Sequence, residues 1–125
     1  MVLTRPTRDT LWTLIVAPTV WALHFLASYV VAAIACARAT ALFAPIDGVR
    51  LTIAGLTAVA LLVIGATGLR AWREWHAAEV ETPHDRPTAE HRERLLEFAT
   101  VLLAALSFVG VLFVALSALV LTDCR

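Results

Sequence analysis

FATVLLAALSFVGVLFVALSALVLT, running from Phe98 to Thr122, is 25 consecutive residues without a formal charge. A bilayer core about 30 Å thick is crossed by about 20 helical residues rising about 1.5 Å each. Two more stretches meet the same requirement: Leu11–Cys36, with 26 residues, and Leu51–Leu69, with 19. The second just fits the core, while the first and third have length to spare for tilt. In water such helices would need a polar face. The second offers only Thr52, Thr57 and Thr67, scattered around its wheel. No apolar–polar alternation is sustained, so strands are not expected. The chain reads as an all-α, integral membrane three-helix bundle forming one domain over 1–125. Its first span covers about 11–36, an outer loop 37–50, the second span about 51–70, a cytoplasmic loop 71–96 and the third span about 97–122.

Composition agrees. Of the 125 residues, 60% are hydrophobic and 16% charged, against about 45–50% and about 25% in soluble domains. A net charge of zero argues against nucleic acid as a partner, which demands a basic excess. All basic residues are arginine, and with the heavy alanine content this is the composition of a GC-rich bacterial genome. Arg5 and Arg8 precede the first span, and Arg70, Arg73, Arg86, Arg92 and Arg94 lie between the second and third. The opposite side has only Arg38, Arg50 and Arg125. The positive-inside rule therefore predicts a cytoplasmic N-terminus and an outside, periplasmic C-terminus in a bacterial inner membrane. Trp12, Trp72 and Trp75 fall at the same inner boundary, where an indole buries its ring and keeps its N–H wet. Ala35-Cys36-Ala37 has the look of a signal cleavage site. The apolar stretch before it is far longer than the usual 7–15 residues and contains Pro18, Trp21 and His24, so the first span is read as retained.

Within this frame, Pro18 should bend the first helix. Pro45 and the Asp47-Gly48 pair read as breaks in the outer loop, and Leu42-Phe43 as a dip into the membrane surface. The second helix should run on to about Glu79, with Pro83 and Pro87 ending it and Thr88 capping the third. Glu90, Arg94 and Glu97 have the spacing of a solvated, ion-paired face. Helices associate in lipid through small residues that let backbones approach. Ala54, Ala58, Gly65 and Gly68 on the second helix, with Thr100, Ala104, Ser107, Gly110 and Ser117 on the third, are the expected packing stripes, for contact within this chain or with other subunits.

His24 is the residue most suggestive of chemistry. It stands near the middle of the first span, where ionisable side chains are rare and are functional candidates by default. Trp21 and Ser28 share its face, and Ser107 is expected at a similar depth. A neutral histidine bonded to a serine or a carbonyl, a haem ligand, a quinone or proton-path contact, and a contact to another subunit all remain open. The haem alternative needs a second axial ligand from elsewhere, because no other histidine lies inside a span and Met1 is the only methionine. Cys36 and Cys124 end the first and third spans on the same side. There a periplasmic environment permits a disulfide, with free thiols or a copper or redox role as alternatives. His76, His84 and His91 are spaced too widely for a compact zinc motif. No phosphate-binding glycine loop, CxxC, HExxH or GxSxG is present, so no enzyme is expected and no metal site is assigned.

The segment Ala17-Pro18-Thr19-Val20-Trp21-Ala22-Leu23-His24-Phe25-Leu26-Ala27-Ser28-Tyr29, followed by Ala35-Cys36-Ala37, resembles uncharacterised three-span proteins of proteobacteria encoded beside cytochrome c oxidase subunits and their assembly factors. The likeness, W-x-x-H-F followed by a cysteine, covers mainly the first span. It implies an oxidase-associated role and carries over no catalytic residue. The expected function is thus an accessory or assembly subunit of a respiratory complex of the haem–copper oxidase type, with other membrane subunits or copies of itself as partners. The alternatives are a haem- or quinone-binding module centred on His24 and a homo-oligomeric transporter or proton conductor.

Overall fold

The computed structural model describes residues 11–40, 45–79, 89–121 and Cys124. The described residues form three helices: α1 Leu11–Arg38, α2 Asp47–Glu79 and α3 Ala89–Val120. Each packs on both of the others, and there is no strand among the described residues. All three are long and apolar enough to cross a membrane. That is the architecture of a multi-pass membrane protein.

The distribution of side chains supports the same conclusion independently. A soluble bundle hides its large apolar side chains. Here Leu23, Phe25, Leu62, Leu106 and Phe113 are all more than half exposed. The buried apolar side chains are Ala17, Ala60, Ala71, Ala104, Ile53, Ile64 and Val111, with the polar His24, Ser28, Thr57, Thr100 and Ser107 among them. Small and polar residues inside, with large oily ones outside, is the pattern of helices solvated by lipid. The two buried threonine hydroxyls, and that of the exposed Ser117, cost little because they bond their own helix. Thr57 donates to the Ile53 carbonyl at 2.7 Å, Thr100 to Leu96 at 2.8 Å and Ser117 to Phe113 at 3.0 Å, leaving few polar groups stranded in hydrocarbon.

Two sequence expectations need correction. Asp47-Gly48 is not a loop break, because it forms the first turn of α2. Pro45 ends the connection just before it, and an aspartate at a helix N-terminus is favoured by the exposed amides and the macrodipole. The second concerns the α2 stripe as a surface for packing within this chain. Ala54, Ala58 and Gly65 face outward, and the inward face is Ile53, Thr57, Ala60, Ile64 and Ala71. Of the expected α2 set, only Gly68 meets α3: a Cβ built there would sit 3.0 Å from Ala104 Cβ. On α3, Thr100, Ala104 and Ser107 are buried, whereas Ser117 is exposed. Leu42, Phe43, Pro83, Pro87 and Thr88 lie outside the described residues.

Gly110 of α3 is where the Trp21 side chain of α1 packs. A Cβ there would lie 2.6 Å from Trp21 Nε1 and 2.9 Å from Cδ1, so the indole edge occupies the space a larger residue would fill. Gly110→Ala should destabilise the protein by about 1 kcal/mol, the lower end of overpacking costs, because the half-exposed indole can swing partly aside. The midpoint of unfolding in detergent measures this. An unchanged midpoint would show that the ring is not held against α3.

Candidate functional site

His24 lies halfway along α1 and is 5% exposed. The inward face of α1 carries Ala17, His24 and Ser28, spaced seven and four residues apart, so all three project toward the other helices. Across from it, His24 Nε2 stands 3.0 Å from Thr57 Oγ1 on α2. The single Thr57 proton serves the 2.7 Å bond to the Ile53 carbonyl. Thr57 therefore accepts from His24, and the imidazole is the tautomer with its proton on Nε2. Among the described residues, the buried Nδ1 has no partner and is left as a bare lone pair, and Ser28 Oγ is likewise buried without one.

The sequence reading had His24, Trp21, Ser28 and Ser107 at one site. The structure does not bring all four together. Ser28 is buried with His24, whereas Trp21 is 40% exposed and turned onto Gly110. Gly68 opposite Ala104, and Arg50 bonded to the Leu119 carbonyl, fix the antiparallel register of α2 against α3. At that register Thr57 is level with about residue 113 and Ser107 with about Ile64, some 9 Å nearer the other end at about 1.5 Å per residue. Ser107 is thus not at the depth of His24. The residue missed as its partner was Thr57. Its position near the middle of the second span was the available signal.

A haem does not fit this arrangement. The ring is almost wholly enclosed, and Nε2, one of its two possible ligating atoms, is already bonded to Thr57. Iron would reach the imidazole only after the helices parted.

One end of the bundle is tied covalently. Cys36 and Cys124 form a disulfide with Cα atoms 5.6 Å apart, joining the last turns of α1 to the segment after α3. At the same end of the bundle, Arg50 Nη2 donates to the Leu119 carbonyl at 3.3 Å, one of the acceptors that a helix C-terminus leaves unsatisfied. At the opposite end, Trp72, Trp75 and His76 meet in tilted and edge-on contacts on α2, and Trp75 reaches Phe98 on α3. His84 lies outside the described residues. Among the described residues no three histidine, cysteine or carboxylate groups converge as a metal site.

Comparison with protein-family models, with curated proteins and with solved structures finds no match.

Proposed function

We propose that this chain is a small, non-catalytic accessory or assembly subunit of a larger membrane complex, seated in the bacterial inner membrane with its N-terminus cytoplasmic and its C-terminus periplasmic. The arginine distribution supports that orientation. The likeness of the first helix points to a respiratory complex of the haem–copper oxidase type.

The observation that carries this reading is the outward face of α2. Ala54, Ala58 and Gly65 are exposed, so the surface best suited to close backbone approach is left free by the protein's own bundle. In lipid there is no hydrophobic force between helices, and small residues allow the backbone contact that replaces it. A partner helix laid on this face would gain that contact without disturbing α1 or α3.

The test is affinity purification of tagged protein from gently solubilised membranes. Wild type should travel with an oxidase or its assembly factors, and Ala54→Leu/Ala58→Leu should lose them while keeping its own bundle and disulfide. Wild type that never carries such partners, or a leucine variant that carries them undiminished, would refute the proposal. Recovery of a second copy of this chain alone would instead favour a homo-oligomer.

A further inference from the structure

The inward face of α1 carries two polar side chains, His24 and Ser28, each 5% exposed. Among the described residues, His24 Nδ1 and Ser28 Oγ have no hydrogen-bond partner, neither in each other nor elsewhere. This sets the serine apart from three other hydroxyls of the bundle. Thr57, Thr100 and Ser117 each turn theirs onto a carbonyl of their own helix, the usual refuge of a hydroxyl in apolar surroundings. Ser28 does not. Its proton and lone pairs stay available one helical turn from the imidazole.

The histidine dictates what could lie between them. The Nε2 proton goes to Thr57 Oγ1, 3.0 Å away, so Nδ1 can only accept, and an occupant has to donate to it. Side chains four apart on a helix have Cβ atoms about 5–6 Å apart. That is the span of two hydrogen bonds laid end to end, at about 2.8 Å each. Water can complete both, giving one proton to Nδ1 while its oxygen takes the proton of Ser28. An ammonium could also donate, but it would bring a charge to the middle of the span, where ionised groups are costly. With both residues almost wholly enclosed by the bundle, a lipid headgroup or a partner helix has no approach. A single water, with its share of about 30 Å³ of liquid volume, is the occupant of the right size.

We propose that one internal water links His24 Nδ1 to Ser28 Oγ. The polar chain then runs from Ser28 through the water to His24, Thr57 and the Ile53 carbonyl, and Ser28 is the residue that positions the water. The site is separate from the outward face of α2.

A crystal structure of the full chain, at a resolution that shows ordered waters, tests the position. One peak should stand about 2.7–3.2 Å from both atoms. No peak there, with Ser28 Oγ turned onto Nδ1 or onto a helix carbonyl, would overturn the proposal. Solid-state NMR of histidine-labelled protein in lipid tests the bonding, with His24→Leu identifying the resonances. Nδ1 should receive magnetisation from water and resonate upfield of a bare nitrogen. In Ser28→Ala the transfer should fall about fivefold, as expected for one lost neutral hydrogen bond, and Nδ1 should move downfield. The Nε2–H signal should hold its place, showing that the bond to Thr57 and the fold are intact. A wild-type Nδ1 that receives nothing from water, or one that Ser28→Ala leaves unchanged, would also refute it.

Discussion

Replacing Cys36 and Cys124 together by serine should lower stability more than any other change considered for this protein. The bridge closes a loop with a sequence separation of 88. Chain-entropy estimates for loops of that length give about 4–5 kcal/mol. In a membrane the unfolded reference is already confined, since the helices stay inserted, so the observed loss should be nearer 2–4 kcal/mol. Unfolding by heat or strong detergent, followed with and without reductant, measures it. Reduced wild type should unfold like the double serine variant, and the variant itself should be indifferent to reductant. Equal midpoints for oxidised wild type and variant would mean that packing alone holds the end of the bundle.

The second large effect is an ordering. Thr57→Val should cost more than His24→Leu, although histidine is the larger and more polar side chain. Thr57 satisfies its proton on the Ile53 carbonyl, so losing His24 strands nothing on α2. Losing Thr57 strands Nε2–H on an imidazole whose Nδ1 already lacks a partner among the described residues. A buried donor without an acceptor costs about 1–3 kcal/mol in proteins generally, while interhelical bonds in lipid average about 0.6 and reach about 1.7. About 1–2 kcal/mol is expected for Thr57→Val. The double variant should fall close to His24→Leu alone. A double-mutant cycle decides. If His24→Leu proved the costlier substitution, Thr57 would have to be the donor in this pair.

The three helices were legible in the sequence because length without charge is a sufficient signal for crossing a bilayer. Which side of each helix turns inward was not. In water, the hydrophobic effect writes the inward face as an oily stripe. In lipid both faces are oily, and rotation is set by a few specific contacts. For α2 the small-residue count favoured Ala54, Ala58 and Gly65, whereas the helix turns Ile53, Thr57 and Ile64 inward. The bond between Thr57 and His24 explains that choice: giving the buried His24 N–H an acceptor outweighs the closer approach that glycine and alanine offer. Gly68, Ala104 and Gly110 were recognisable as packing residues because each is small where another helix crosses. Ser107 was assigned to the depth of His24 by counting from span midpoints, and such counting ignores the stagger between helices. Only the register set by Gly68 with Ala104 and by Arg50 with Leu119 reveals the offset.

The disulfide also has a consequence in time. Cys36 leaves the ribosome before α2 and α3 exist, and its partner Cys124 follows the whole of α3. The ring can close only once the second and third helices have been threaded and the two thiols have reached the same side of the bilayer. Formation of the bond is therefore a biochemical receipt for completed insertion, and a chain caught half-inserted would carry two reduced thiols.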